Sequence, residues 1–397
     1  MVTTSNSARN SLSGETGSTN IEAASGNAVA SGSRHRILIT DADYKHSIAL
    51  ARYIKREMRH VSLIGHSCGT VRFARHYQCF DEIVSDEPLE TTLQTREFDQ
   101  VIPVGARSVL QIAQTCPGMA VLPSLDRLLS VYDKKLTVEL ANRLGIPAPR
   151  TQAITSAEQL VERDLTFPCV VKPASENASI KSVRYCKDAG QAREAVANTV
   201  QKLGMEGVGV LVQEFIEGKG HGLFALMDHG RPLRLFMHER LREFPPTGGP
   251  STAAAAFYSP RLEELGVKLL SALEWNGVAM VEFKFDLRRQ DFVLMEVNGK
   301  FWGSLELALR AGVNFGRDLI HLYRNEPLDS RSSYDHKVKF YWPLDGDLRT
   351  LWCKRQVIRG IGDYFRPNAA TNLGQSAVAD LKKSVRLIRD VVNGYSS

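Results

Sequence analysis

Residues 295–305 have the sequence MEVNGKFWGSL, in which a carboxylate (Glu296) and an amide (Asn298) alternate along one face of a predicted strand. Two apolar-rich runs, 278–286 and 292–298, are separated by a polar turn and predict a β-hairpin. One face of this hairpin would therefore carry oxygen ligands that suit a metal ion.

The predicted register brings two carboxylates together. The register follows if Asp286 pairs with Phe292 across the turn. Glu282 then falls directly opposite Glu296, at a distance of about 5 Å, and Asn298 follows on the same face. Like charges this close repel unless a proton or a cation lies between them, and hard oxygen ligands on a rigid hairpin suit Mg²⁺. An exposed edge hairpin with solvated acids has the same local pattern.

Length and composition limit the classes of protein to consider. The 397 residues suffice for two or three domains of ordinary globular composition. A formal net charge of +6 is modest for this length and indicates anionic small molecules at least as readily as nucleic acid. No basic run with interleaved aromatic residues indicates a nucleic-acid partner. No apolar stretch predicts a membrane span. The six cysteines lack metal-ligand spacing and indicate reduced thiols, so we expect a cytoplasmic protein.

The amino-terminal part divides into two kinds of sequence. Residues 1–33 are rich in Ser, Thr, Asn, Gly and Ala, which predicts a disordered tail and not a secretory signal. Strand-like runs at 36–40, 60–65 and 101–104 alternate with helical patterns, so we predict a parallel α/β domain. The first strand-to-helix turn lacks Gly-x-Gly-x-x-Gly, which argues against a dinucleotide-binding dehydrogenase.

Two lysines and one strand end have features of a nucleotide site. Asp133 is placed to cap a helix, and Lys134 in the first turn opposes the helix dipole, which indicates either a binding role or a solvated lysine. Lys172 ends the apolar run 167–173, where an anion such as phosphate would compensate its charge. The strand in 208–218 runs into a turn with glycine, where backbone groups could meet a flat heterocycle or simply form a loop.

Cationic side chains recur along another predicted strand. Alternation places Arg234, Phe236, His238, Arg240 and Arg242 on one face. Such a face suits a carboxylate or an acyl phosphate, and it also suits a solvated edge strand that avoids pairing.

The order of these segments resembles the ATP-grasp superfamily, particularly proteins similar to the carbamoyl phosphate synthetase large subunit. The series is Asp-Lys before a helix, Val-Val-Lys-Pro, Gln-Glu-Phe-Ile-Glu-Gly, a glutamate on a strand, and Glu-x-Asn-x-basic, within about residues 36–325. The resemblance implies an α/β fold: a Rossmann-like pre-ATP-grasp domain followed by a two-subdomain α+β ATP-grasp fold. The expected boundaries are a tail at 1–33, the Rossmann-like domain at 34–125, the ATP-grasp domain at 126–325 with a lid at about 150–215 and a large subdomain at about 216–325, and an extension at 326–397.

The resemblance also implies roles for individual residues. ATP would be bound by Lys134, Lys172, Ser179, Gln213, Glu214, Phe215 and Ile216, the last four being a hinge against adenine. The ligands of Mg²⁺, with Mn²⁺ as an alternative, would be Glu282, Glu296 and Asn298. Lys300 would stabilise charge on the transferring phosphoryl group, and the strand pattern adds Arg240 and Arg242 as catalytic cations.

The sequence departs from the family pattern at three places. Lys300 stands where many relatives have an arginine, so the charge is kept but the bidentate fork is lost. The loop at 174–182 is not glycine-rich, although its hydroxyls and amides can still contact phosphate. Gly220 and His221 occupy the region where many relatives have a ribose-binding glutamate, so no ribose contact is assigned.

The implied activity is ligation of a carboxylate to an amine, or to a thiol, through an acyl phosphate, with release of ADP and phosphate. The implied partners are therefore ATP, a small-molecule carboxylate and an amine, and similar proteins are often homodimers. A carboxylate kinase and a catalytically silent ATP-binding module are the alternatives. The predicted site residues argue against a silent module but do not separate a ligase from a kinase.

Beyond residue 330 the resemblance fades. Residues 337–342 predict one more strand, and 348–361 and 377–392 predict amphipathic helices rich in Lys and Arg. Such helices either pack on the body of the protein with a solvated charged face or contact a membrane or an acidic partner.

Overall fold

The structure of the protein is a computed structural model that describes residues 34–176, 178–180, 183–204, 207–245, 249–330 and 333–392. The predicted disordered tail at 1–33 lies outside the described residues. Three sheets organise the rest of the chain, in the order in which their strands occur.

The first sheet is parallel, as the alternation of strands and helices predicts. Its elements are β1 (His35–Ile39), α1 (Lys45–Glu57), β2 (Val61–Ser67), β3 (Glu82–Ser85), α2 (Leu89–Thr95), β4 (Gln100–Ile102) and α3 (Ala106–Thr115). The strand order is β3-β2-β1-β4. Because parallel strands need crossovers, the helices cover the sheet and the ends of the strands meet at one edge.

The second sheet is small and antiparallel. Its segment of the chain contains α4 (Leu125–Tyr132), α5 (Lys134–Arg143), β5 (Thr151–Ile154), β6 (Cys169–Pro173), β7 (Arg184–Cys186), α6 (Ala189–Leu203) and β8 (Val210–Glu214). The strand order is β5-β8-β6-β7, and α6 buries Ala192, Val196 and Leu203 against it. Gly145 ends α5 with a φ of +66°, a conformation that glycine adopts without strain.

The third sheet has seven strands and includes the predicted hairpin. Its first part comprises β9 (Gly218–Asp228), β10 (Arg231–Glu243), β11 (Ser251–Phe257), α7 (Pro260–Ala272), β12 (Gly277–Asp286), β13 (Asp291–Asn298), α8 (Leu305–Arg310) and α9 (Phe315–Tyr323). The carboxyl-terminal part adds β14 (Lys339–Tyr341), α10 (Asp347–Cys353), α11 (Val357–Gly362), β15 (Ala369–Thr371) and α12 (Ala377–Val392). The strand order is β13-β12-β9-β10-β11-β14-β15.

The carboxyl-terminal segment differs from the sequence prediction at one point. The helix predicted for 348–361 is two helices, α10 and α11, separated by Arg355 with a φ of +55°. A non-glycine residue in the left-handed region cannot continue an α-helix. The apolar periodicity therefore continues across a position where the helix ends, which is why one helix was predicted. Within the described residues, no helix has both the length and the apolar character needed to cross a membrane.

Helix α1 of the first sheet packs against α8 and α9 of the third sheet. Gly316 of α9 makes this approach close, because a Cβ there would lie 2.4 Å from Leu50 and 3.0 Å from Ile54 of α1. One apolar core extends across the contact and includes the buried Trp302 and Trp342. The start of α1 is thereby held beside the end of β13, which is where the candidate site lies.

Candidate functional site

The hairpin places Glu282 opposite Glu296, as the sequence predicts. The predicted pairing of Asp286 with Phe292 is wrong, because Asp286 pairs with Asp291. A register shift between Glu282 and the following residue adds one position and restores the predicted alignment at the carboxylates. The turn is therefore one residue tighter than predicted, and the bulge compensates for it.

Asn298 joins the two carboxylates into one network. Its Nδ2 donates to Glu296 Oε1 at 3.0 Å and lies 3.4 Å from Glu282 Oε1. Rotation of the amide by 180° would present Oδ1 to the same space. Two carboxylates and an amide so close together fit the hard-oxygen preference of Mg²⁺. Among the described residues, no group of three or more His, Cys, Asp or Glu side chains is arranged for a metal, so the amide would be needed as a ligand.

Lys134 is brought to this hairpin by the start of α5. The Asp133 carboxylate accepts hydrogen bonds from the backbone N–H groups of Lys135 and Leu136, which confirms the predicted cap. The Lys134 ammonium lies 3.1 Å from Glu296 Oε2 and 3.5 Å from Glu176 Oε2. Burial opposes the charge of Lys134, but Glu296 and Glu176 outweigh it and raise the pKa of this lysine.

Lys172 lies at the end of β6 and has a different electrostatic environment. Burial, followed by the nearby charge of Lys134, lowers the pKa of Lys172 to about 8. Among the described residues, Lys134 but not Lys172 has a carboxylate oxygen within 4 Å of its ammonium. A partly buried ammonium whose charge is disfavoured in this way suits an incoming anion, which would restore the charged form.

The two hairpin carboxylates have opposite pKa directions. Burial raises the pKa of Glu282, and the charge of Glu296 adds to this although Arg240 opposes it. Burial also acts on Glu296, but Lys134 and Lys172 outweigh it and hold its pKa well below the ordinary range. Glu296 is therefore held in its ionised form, while burial and the charge of Glu296 disfavour the charged form of Glu282.

Two cations complete the network. The Lys300 ammonium lies 2.6 Å from Glu176 Oε1, and Arg240 is paired with Glu282. Glu176 was not assigned a role from the sequence, yet it joins Lys134 and Lys300 in the structure. The signal in the sequence was the position of Glu176, an acidic residue in a loop that is expected to contact phosphate. Its negative charge occupies the space between two cations that phosphate would otherwise neutralise.

The hinge residues lie between the second and third sheets. Gln213 is buried and donates to Thr151 Oγ1 at 2.8 Å, while Glu214 lies 2.7 Å from the guanidinium of Arg289. Phe215 and Ile216 contact one side chain: Lys284 lies 5.1 Å from the Phe215 ring centre and donates to the Ile216 carbonyl at 3.0 Å. Ser179 is exposed in the loop after β6. Among the described residues, these contacts do not join the four hinge residues to the carboxylate network.

Arg242 has a different setting from Arg240. Its guanidinium lies 2.7 Å from both oxygens of the fully buried Asp347 and 2.8 Å from Asp363. Both partners belong to the carboxyl-terminal segment, so Arg242 joins β10 to α10 and the turn after α11. The pairing of β10 with β11 changes register between Arg240 and Arg242. The two arginines therefore have different neighbours although they are two residues apart.

We expect Arg242→Met to destabilise the protein by about 3–5 kcal/mol, because it would leave the buried Asp347 carboxylate without its cationic partner. Chemical denaturation monitored by tryptophan fluorescence would measure the loss. Arg359→Met, which changes an exposed arginine in α11, is the matched control. If unfolding were unchanged while turnover fell, the role of Arg242 would lie in catalysis instead.

A cavity of about 1210 Å³ adjoins the network. It is bounded by the loop after β1, the start of α1, the end of β13 and the segment from residue 344 to α12. Among the described residues, Glu176, Arg240, Glu282, Asn298 and Lys300 are shared between the network and the cavity wall. We call this space the central cavity. It is large enough for a small organic substrate next to the hairpin.

Comparison with known sequences gives partial matches. No protein-family model matches the chain. Over 131 residues, or 32% of the chain, it is 34% identical to the phosphoribosylamine–glycine ligase of Phenylobacterium zucineum and covers 31% of that protein. Over 353 residues, or 79% of the chain, it is 21% identical to the carbamoyl phosphate synthase large chain of Methanothermobacter thermautotrophicus and covers 32% of it. The chain thus spans about a third of the length of these two relatives.

Comparison with solved structures extends over most of the chain. The biotin carboxylase of Campylobacter jejuni, solved as a β-γ-ATP complex, matches with a TM-score of 0.62 and 15% sequence identity. The match covers 77% of this chain and 74% of that one. At this identity the likeness concerns the fold.

Proposed function

The chain has the ATP-grasp ligase fold, and from that premise we propose that it is a magnesium-dependent ligase that joins a carboxylate to an amine at the expense of ATP. The observation that carries the proposal is the network in which Glu282, Glu296 and Asn298 meet Lys134. These groups come from the hairpin and from α5, and together they have the donors and charges for a metal–triphosphate complex.

In this proposal Lys134 and Lys172 hold the phosphates of ATP. Ser179 contacts phosphate from the loop after β6, and the hinge formed by Gln213, Glu214, Phe215 and Ile216 contacts adenine. Lys134 is paired with Glu176 and Glu296. Phosphate oxygens would replace Glu176 as its partner, so binding exchanges one ion pair for another.

The ligands of Mg²⁺, or of Mn²⁺, would be Glu282, Glu296 and Asn298. When bound, the ion would neutralise charge on the β- and γ-phosphates. The fit rests on the surroundings of the two carboxylates: burial and Glu296 raise the pKa of Glu282, which a nearby divalent cation would reverse. Glu296 is already ionised beside Lys134 and Lys172.

The chemistry proceeds in two substitutions. A carboxylate oxygen of the substrate attacks the γ-phosphorus, and the bond from this phosphorus to the bridging oxygen breaks, which releases ADP and forms an acyl phosphate. The amine nitrogen then attacks the acyl carbon, and the carbon–oxygen bond to phosphate breaks as the nitrogen loses a proton. Lys300 and Arg240 would balance the negative charge of the two anions as they approach. A thiol nucleophile would follow the same course.

A carboxylate kinase would stop after the first substitution. A silent module would bind ATP and carry out neither substitution. Incubation of the full chain with Mg-ATP and panels of carboxylates and amines separates the three. We expect ADP release that requires a carboxylate, rises with an amine and is accompanied by the mass of a new amide. If hydroxylamine traps an acyl phosphate but no amine increases ADP release, the protein is a carboxylate kinase. Nucleotide binding without ADP from any combination would support the silent module.

We expect the affinity for Mg-ATP to weaken above about pH 8. Because burial lowers the pKa of Lys172 to about 8, the lysine loses its charge above that pH in the free protein, whereas bound phosphate favours the charged form. Binding must then take up a proton, and the dissociation constant should rise by up to about tenfold per pH unit. Calorimetry in buffers of different ionisation enthalpy would measure this uptake. A Lys172→Met protein that kept the same pH dependence would contradict the assignment.

A further inference from the structure

The central cavity has more positive than negative charge, and its carboxylates are already occupied. Eight Lys and Arg side chains and five Asp and Glu side chains line it among the described residues. Asp41 accepts from Gly105 N–H and Ser108 Oγ, both at 2.8 Å. Asp43 accepts from three consecutive backbone N–H groups, at 2.7 to 3.2 Å. The remaining carboxylates, Glu176, Glu282 and Asp345, each pair with a cation.

Four of the lining cations have no such partner. Lys45, Arg72, Arg107 and Arg386 make no ion pair with a residue that the structure describes, although the other four cations of the wall all do. They come from four separate elements: the loop after β2, the start of α1, the start of α3 and the exposed face of α12. Because each element contributes one of these cations, the excess charge is a property of the cavity and not of one surface helix.

Lys45 is the innermost of these four cations. It is half-buried, and its ammonium lies 4.6 Å from the centre of the Trp342 ring. Burial lowers the pKa of Lys45 to about 8, although the nearby charge of Asp345 opposes this shift. The other three cations are exposed at the edge of the cavity.

Hydrogen-bond donors in the wall also lack acceptors. Trp302 is 4% exposed, and its Nε1–H has no acceptor within the described part of the chain. Arg240 Nε is likewise a buried donor without an acceptor there, and His46 Nδ1 is a buried ring nitrogen without a partner, which donates or accepts according to the tautomer. An indole N–H can only donate, so the group that would satisfy it must be an acceptor. Buried donors without acceptors, beside cations without ion pairs, favour an anionic acceptor at this wall.

These donors continue from the network at the hairpin. After burial, the charges of Lys45 and Lys300 both lower the pKa of His46, to about 3, so both ammonium groups act on the same imidazole. Lys300 and Arg240 belong to the end of the cavity where the reacting carboxylate would lie. Lys45 extends the cationic surface away from that end, toward α12.

We propose that the carboxylate substrate carries a second anionic group, either another carboxylate or a phosphate, which is bound by Lys45 and Trp302 with Arg72, Arg107 and Arg386 at the edge. This proposal rests on the proposed function for the identity of the first carboxylate. Lys300 and Arg240 would suffice to bind a single carboxylate. The four cations without ion pairs would then contact no part of the substrate. The volume of about 1210 Å³ also exceeds what one carboxylate group requires.

Matched pairs of small molecules test the proposal. Propionate with succinate, and serine with O-phosphoserine, differ by one anionic group within each pair. Each compound is titrated by calorimetry into the full chain, first alone and then with Mg²⁺ and a non-hydrolysable ATP analogue, which keeps phosphate probes out of the nucleotide site. We expect succinate or O-phosphoserine to bind at least tenfold more tightly than its partner, and the better of the two identifies the second group.

Two variants locate the site. Lys45→Met should weaken binding of the preferred dianion at least tenfold, and Arg386→Gln on the exposed face of α12 should weaken it severalfold. Arg359→Gln, an exposed arginine outside the cavity wall, is the control and should have no effect. Thermal unfolding of each variant excludes a loss of fold.

The outcomes separate this proposal from the proposed function. If no dianion binds more tightly than its monoanionic partner, or if Lys45→Met and Arg386→Gln bind it as the unchanged protein does, the second anion site is wrong. That result would leave ATP-dependent ligation of a monocarboxylate intact. If the ATP analogue fails to bind, the proposed function is wrong, while the titrations without nucleotide still decide whether the anion site exists.

Discussion

Glu296→Gln is expected to abolish magnesium-dependent ATP turnover, with a fall in kcat of about a hundredfold or more, the scale seen when one group that stabilises transition-state charge is removed. Glu296 is the hairpin carboxylate that Lys134 and Lys172 hold in its ionised form. Glutamine preserves its size and its contact with Asn298 but removes the negative charge. A coupled assay of ADP release, run over a range of Mg²⁺ concentrations, would measure the effect.

The control for this substitution is Glu264→Gln, an exposed glutamate of α7 whose partner is the exposed Arg261. It should leave turnover unchanged. Circular dichroism and thermal unfolding would establish that the Glu296 variant is folded. A folded variant with normal turnover at low Mg²⁺ would contradict the assignment of Glu296 as a metal ligand.

Lys172→Met is expected to weaken Mg-ATP binding by about ten- to a hundredfold, because a hydrogen bond to a charged group contributes about 1.5–3 kcal/mol. Methionine retains the length and the apolar part of the side chain, so β6 should keep its packing. The loss should be smaller for adenosine than for ATP, since the lysine would contact phosphate and not the base. Calorimetry with both ligands would show the difference.

Lys202→Met is the matched control, because Lys202 is an exposed lysine at the end of α6 in the same part of the chain. Equal losses of affinity for ATP and adenosine in the Lys172 variant would indicate a distorted hinge and not a lost phosphate contact. An unchanged affinity for ATP would remove Lys172 from the nucleotide site altogether.

Local sequence patterns predicted most of the elements that build the site. The runs at 278–286 and 292–298 occur as β12 (Gly277–Asp286) and β13 (Asp291–Asn298), because alternation of side chains over a few residues is a short-range property. Asp133 caps α5 for the same reason, since the cap requires only the next two or three residues. The family resemblance then supplied the relation between segments that no single pattern contains.

Local sequence patterns could not predict which charged side chains form ion pairs with one another. Alternation placed Arg240 and Arg242 on one face, but Arg240 is paired with Glu282 and Arg242 with Asp347, which is 105 residues further along the chain. Glu176 shows the same limit, because its contact with Lys300 spans 124 residues. Periodicity describes where a side chain points relative to its neighbours in sequence and contains no information about the segment that comes to face it.

The sequence by itself determined the hairpin, the face on which its glutamates lie, and the order of the lysines that precede it, because these depend on residues only a few positions apart. The tertiary structure decided which charges compensate one another and which do not. Helix α1 and helix α12 reach the end of β13 only through long-range packing, and that packing places Lys45 and Arg386 in one cavity wall with Lys300. Electrostatic compensation depends on distance in space, so the excess of positive charge that points to a second anionic group could be seen only once the chain was folded.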